Sequence, residues 1–497
     1  MTDQPSALAP QAPPLVDDAP VLDAALRRRN TLVISLLLVS TFVVFLNETI
    51  MGVALPHLME DLAISAVAAQ WLTTAFLLTM AVVIPITGLL LQRFHTRQVF
   101  IAAMSLFSLG TLVAALAPGF DVLLAARVIQ ASGTAIMMPL LMTTVMELVP
   151  ERERGRTMGN IAIVMSVAPA IGPTVSGLIL STLSWRFMFV LVLPLALGAL
   201  ALGAARMVNV TEPRPTPIDG VSVALAAAGF GGLVLGLSQL GRAGGVAAAA
   251  LVTAGVGAVA LAAFIWRQVR LQDRGRALLD LRTFRLRTFS VAVGVLAIAM
   301  VSLFGVIIVL PLYMQDVLGF DVLRSGLMLL PGGLTMGLLG PVVGRLYDRV
   351  GARPLLVPGV ALVSLVLWGL TTVRVDTPWW FVLVAHVTLS VGLALTFTPL
   401  FSTGMGALPE RLYSHGSATI GTVQQVAGAA GTALFVAVMS GVAAAQESTG
   451  VPATTALAAG IRTAFLVGAV ISLFGVAAAT RLRARPVAPG RGRRRRH

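Results

Sequence analysis

The sequence predicts an all-α, polytopic membrane protein, and three observations carry that prediction. Hydrophobic residues fill 57% of the 497 positions and charged residues only 11%, against roughly 25% charge in a soluble domain. Mean hydropathy is +0.91. Apolar runs near the roughly 20 residues that a bilayer demands recur along the whole chain. They fall near residues 32–55, 71–91, 98–117, 122–146, 157–181, 186–205, 220–240, 246–266, 289–313, 325–344, 354–372, 378–401, 416–440 and 461–480, fourteen in all. Hydrocarbon offers the backbone no hydrogen-bond partners, so each run is expected to be a helix that satisfies itself.

Arginine orients the spans. Lysine is absent, so all 35 basic residues are Arg. With both termini in the cytoplasm, 29 of the 35 fall in cytoplasmic segments, the positive-inside pattern. The expected location is a bacterial cytoplasmic membrane. Residues 1–30 lack an apolar core and read as a disordered cytoplasmic extension, not a signal peptide. A six-helix bundle over 31–207, a linker with two further spans over 208–287 and a second six-helix bundle over 288–480 should follow. The tail 481–497 reads as a cationic segment near anionic headgroups. The net charge of +14 thus marks membrane lipids as partners and not nucleic acid.

Composition also excludes whole classes of chemistry. Cysteine is absent, which removes disulfides, thiolate metal sites and thiol catalysis. Without lysine there is neither a P-loop nor Schiff-base chemistry. No cofactor, no metal and no enzymatic activity are expected, and the chain should work as a monomer.

Glu48 stands out because it is the one acid sunk deep in an apolar run, Thr31 to Leu55. An ionised carboxylate there costs at least ~2.5 kcal/mol, so a proton or cation site is the expected reason for it. Arg127 is the one basic residue deep inside a span, and it should face water, protein carbonyls or Glu48, or else snorkel to the outer surface.

An internal repeat supplies the architecture. Pro85, Gly88, Arg93 and Arg97 close the second span, and Pro341, Gly344, Arg349 and Arg353 close the tenth at the same spacing, 256 residues later. A duplicated half of this kind is a known transporter plan. Glycine lets helices approach closely, and the arginines can bridge to carboxylates or helix C-terminal carbonyls of the other half. The expected cytoplasmic gate is therefore Gly88, Arg93, Arg97, Gly344, Asp348, Arg349 and Arg353. Gln92 and His95 occupy the positions that Asp348 and Gly351 hold in the second copy.

Several segments carry a family resemblance: Leu46-Asn47-Glu48-Thr49-Ile50-Met51-Gly52 in the first span, Trp71-Leu72-Thr73-Thr74 in the second and Arg127 to Gly133 in the fourth. Trp185-Arg186-Phe187 and Leu312-Tyr313-Met314-Gln315 add to them. Together they resemble the 14-span drug:proton antiporter branch of the major facilitator superfamily, the EmrB/QacA-type exporters and their lincomycin-resistance-like group. Here Asn47 takes the usual Asp position, with the acid one residue on. The resemblance implies a major facilitator fold and proton coupling through Glu48 tuned by Arg127. It also implies an antiporter motif at Gly159, Gly172, Pro173 and Gly177, where a proline should bend or break the helix. Candidates for the substrate cavity are Asn47, Gln130, Met137, Met138, Gln315, His386, Phe397, Gln424 and Gln425. The implied function is proton-coupled export of hydrophobic or cationic compounds. The alternative is a proton-coupled permease or exporter for one endogenous metabolite or lipid.

Overall fold

The computed structural model describes residues 19–210, 213, 219–240 and 247–482. Among these, fourteen long helices follow one another: α1 (Ala19–Asp61), α2 (Ala66–Arg93), α3 (Thr96–Ala115), α4 (Phe120–Leu148), α5 (Arg154–Leu180), α6 (Arg186–Arg206), α7 (Gly220–Leu240), α8 (Ala247–Gln272), α9 (Arg287–Leu312), α10 (Val322–Val350), α11 (Arg353–Leu370), α12 (Trp379–Gly406), α13 (Tyr413–Glu447) and α14 (Ala453–Ala479). Each overlaps one expected span. Among the described residues, thirteen of them are long and apolar enough to cross a membrane. The other, α5, is rich in Gly, Ser and Thr and lies between α1 and α10. The chain is a multi-pass membrane protein.

At its start the structure departs from expectation. Helix α1 runs for 43 residues and begins at Ala19, inside the stretch expected to be disordered. The Ala-Leu-Arg sequence before the first span has high helix propensity, and a helix already nucleated by that span extends readily. Residues 1–18 and the tail from 483 onward lie outside the described residues.

Helices α1 to α6 pack as one bundle and α9 to α14 as another. Two seams join them, α5 on α10 and α2 on α13, and α4 also touches α13. Lipid is as apolar as leucine, so contacts between helices depend on close packing and hydrogen bonds. At the first seam this is extreme: a Cβ at Gly344 would lie 2.1 Å from the Gly155 carbonyl, and one at Gly159 would lie 2.3 Å from that of Gly340. The inserted pair α7–α8 packs on itself, and α7 rests on both α2 and α13. The outer face of α8 carries exposed Leu251, Val252, Val256 and Val259, as a lipid-facing helix should.

Both ends of the helical array meet at one pole. Asn30 Nδ2 donates to the Leu148 carbonyl at 3.4 Å, while Arg287 and Arg481 line one shallow cavity. This pole also carries Arg93, Arg97, Arg349 and Arg353 and is termed the arginine-rich end below.

Candidate functional site

Asn47 and Glu48 lie in the middle of α1, and the two face different surroundings. Asn47 is buried and accepts from Gln130 Nε2 at 3.4 Å. The same Gln130 amide donates to Thr111 Oγ1 at 2.8 Å, while its oxygen accepts from Arg127 Nη1 at 2.9 Å. Arg127 is 1% exposed; its Nε donates to the Leu72 carbonyl at 3.5 Å, and its guanidinium sits 4.0 Å from the Phe76 ring centroid. Carbonyl, amide and aromatic face thus hold the cation, as hydrocarbon burial demands. It neither snorkels nor forms an ion pair with Glu48 in this conformation. Glu48 itself is half-buried, with Oε2 enclosed and without a hydrogen-bond partner.

Next to it, Thr49 connects α1 to α5. Its hydroxyl has the Phe45, Leu46 and Ala168 carbonyls within hydrogen-bond reach, at 3.2, 3.0 and 3.3 Å. A Cβ at Gly172 would lie 2.3 Å from Thr49 Oγ1, so this position admits no side chain. Gly172 therefore packs one residue from the membrane acid, while Gly159 packs on the second bundle. Gly177, expected on the same close-packed face, has open space around its Cα instead and is exposed. Helix α5 is also not broken at Pro173; it runs from Arg154 to Leu180 without interruption. Of the Pro173 side chain nothing is described.

The gate differs most from the expectation. Arg97 stays within its own bundle. Arg97 donates through Nε and Nη2 to the Ala204 carbonyl at 3.1 and 2.5 Å, at the C-terminus of α6 in its own bundle. Arg93 lies over the adjacent Phe94 ring, and Arg349 and Arg353 are exposed. Shorter side chains also bridge the bundles. Asp348 Oδ1 accepts from the Gly155 amide and Oδ2 from the Arg156 amide, both at 2.9 Å. These are the second and third N–H groups of α5, whose own cap residue Glu153 makes no capping bond. Asp348 thus caps a helix of the opposite bundle, where the dipole favours a negative charge. Its counterpart Gln92 approaches the second and third residues of α13: its Nε2 lies 3.1 Å from Ser414 Oγ and 2.8 Å from His415 Nε2. Thr143 bonds Ser417 at 2.8 Å, and Arg154 reaches Tyr413 Oη at 3.4 Å. Sequence reading missed Gly155, Arg154 and His415. A polar residue at a helix start looks like any loop residue until its partner is known.

The cavity candidates divide. Met137 and Phe397 are 0% and 3% exposed, packed within their own bundles, and Asn47 and Gln130 belong to the Arg127 network. These four do not line open space here. In an all-apolar span every face is equally hydrophobic, so the sequence cannot say which one meets a neighbour. Met138, Gln424 and Gln425 are half-buried, and Gln425 reaches across the α2–α13 seam to Met80 Sδ at 3.9 Å. Gln315 sits in a π-helical turn, Tyr313–Val317, beyond the end of α9. His386 Nε2 lies 3.1 Å from the Leu329 carbonyl and joins α12 to α10, while its Nδ1 is buried without a partner.

Two six-helix bundles meeting along paired seams, with an acid set within an apolar helix, are the arrangement of a multi-pass transporter. The family model of the Major Facilitator Superfamily matches residues 37–432, and the chain belongs to that superfamily. It is 41% identical over 446 residues to the uncharacterized MFS-type transporter YcnB of Bacillus subtilis, covering 90% of this chain and 93% of that protein. It is 39% identical over 449 residues to the lincomycin resistance protein LmrB of Listeria monocytogenes, covering 89% and 95%. Among solved structures, the human organic anion transporter MFSD10 (TETRAN) superposes with a TM-score of 0.64 at 14% identity, covering 90% of this chain and 99% of that one. The proton:xylose symporter XylE gives 0.61 at 14% identity, covering 92% and 97%; both likenesses concern the fold.

Proposed function

We propose that this transporter exports hydrophobic or cationic small molecules from a bacterial cytoplasm in exchange for protons, by alternating access. The arginine-rich end faces the cytoplasm, in accordance with the positive-inside rule. The observation that carries the reading is Glu48: a half-buried carboxyl with one oxygen unpartnered, beside a buried cation it does not pair with. Such a group can take a proton when its side of the cavity is open and lose it when Arg127 or water draws near. Thr49 and Gly172 join that residue to α5, and α5 forms the seam with the second bundle, so a change at the acid has a mechanical route to the gate. The bonds that join the bundles cluster at the arginine-rich end, which corresponds to an outward-facing conformation with the cytoplasmic gate shut. The name of the LmrB relative makes a lincosamide the first compound to try.

The test uses everted membrane vesicles from a pump-deficient host. A proton gradient should drive uptake of lincomycin or of a lipophilic cationic dye into vesicles carrying the parent chain. With Glu48→Gln that uptake should vanish while inserted protein is unchanged. Gradient-driven uptake that survives this substitution removes Glu48 from the coupling role.

A further inference from the structure

The two inserted helices are fastened by a chain of polar contacts to the loop before α9, and that loop packs on the gate. It starts at Asp219, just before α7, which accepts from Arg267 Nε and Nη2 at 2.6 and 2.8 Å and from Ser222 Oγ at 2.5 Å. Ser222 in turn accepts from Gln268 Nε2 at 2.8 Å. Gln268 is 0% exposed, and its oxygen accepts the Leu278 and Leu279 amides at 2.7 and 3.2 Å. One buried amide thereby fixes the loop between α8 and α9. A glutamine with all its polar atoms satisfied inside a protein is a positioning device.

That loop lies on the α2–α13 seam. Leu278 and Leu279 pack in one cluster with Leu89 of α2 and Ala418 of α13. Asp280, beside them, is buried and lies within electrostatic reach of His415, the same ring that Gln92 contacts from α2. We propose that the inserted pair works as a clasp on the cytoplasmic gate, with Gln268 as the positioning residue and His415 as the ring held between Gln92 and the loop. The seam opens to the cytoplasm when the clasp yields. This rests on the transporter reading above in one respect, that the seam is a moving gate.

Because the native chain has no cysteine, a gauge can be built into it cleanly. A Cβ at Gly88 would lie 3.3 Å from Cβ of Ala418, near the ~3.5–4.5 Å of a disulfide. The Gly88→Cys, Ala418→Cys chain is oxidised in everted vesicles, and the linked peptides are quantified over time by mass spectrometry. Adding Gln268→Leu should slow cross-linking at least about fivefold, the size expected when one buried hydrogen-bonded contact is lost. His415→Leu should do the same, whereas His415→Gln, which can still meet the Gln92 amide, should restore the rate. An unchanged rate in inserted Gln268→Leu protein overturns the clasp. Should that variant fail to insert, the His415 pair decides: equal rates for Leu and Gln at that position overturn it. Cross-linking reads the seam without any transport. The clasp can therefore fail while gradient-driven export stands, and export can fail in Glu48→Gln vesicles while the gauge still responds.

Discussion

At the level of single residues, Arg127 shows how a charge is kept inside a membrane protein without a direct ion pair. Its neighbours are an amide oxygen, a backbone carbonyl and an aromatic face, an arrangement suited to a flat guanidinium and not to an ammonium. Arg127→Lys should therefore lower gradient-driven export roughly tenfold or more, the value of one lost charge-assisted hydrogen bond. A vesicle assay normalised to inserted protein would read it. Glu48 and Arg127 were legible because an isolated charge in an apolar run has few explanations. Their relation was not, because residues 79 positions apart show no spacing in the sequence that reveals a missing ion pair. His415 was missed for the opposite reason: a lone histidine at a span's edge passes for a surface residue, and here it is 5% exposed.

Helices follow a different rule. All fourteen were visible as apolar runs, and even the glycine-rich α7 and α8 fall where the pattern put them. The faces they present were not visible, since hydrophobic periodicity vanishes when both lipid and protein neighbours are apolar. The repeated loop illustrates this. Its spacing suggested arginine bridges, and the contacts between the bundles at this loop come from Asp348 and from Gln92. A cap residue contributes about 1 kcal/mol, and the Asp348 cap exists only while the seam is closed. Asp348→Ala should thus raise labelling of a cysteine placed at the arginine-rich end of that seam about fivefold, measured with a membrane-impermeant maleimide in everted vesicles. Gly344→Val should act more strongly. Its side chain would fall where the Gly155 carbonyl now lies, so the variant should insert normally, label throughout and export nothing.

Across the whole molecule, the polar chain from Asp219 to the loop after α8 makes two predictions about acid. Arg267's hydrogen bonds hold the Asp219 carboxyl well below the usual carboxylate range, against burial and helped by Ser222. Burial pushes Asp280 up, but the Arg282 contacts outweigh it and leave the group depressed. A carboxylate depressed by folding stabilises the protein above its unfolded value, near 4, and that stability is lost as pH falls through the folded value. Thermal stability of the purified protein should therefore hold through neutral pH and decline below about pH 4. Asp219→Asn should lower the neutral plateau by a few degrees, and the gap to the parent should narrow in acid. A constant gap across the whole pH range would assign the loss to packing instead.

The Asp348 and Gln92 fastenings are related by duplication but not by chemistry: one is a carboxylate on a helix dipole, the other a neutral amide against a ring. Mobile ions screen the first and leave the second almost untouched. Under high salt the two bundles would part askew, with the α5 edge leading and the α2 edge trailing. A passage at the arginine-rich end would then begin as a slit along one flank, not as a central hole.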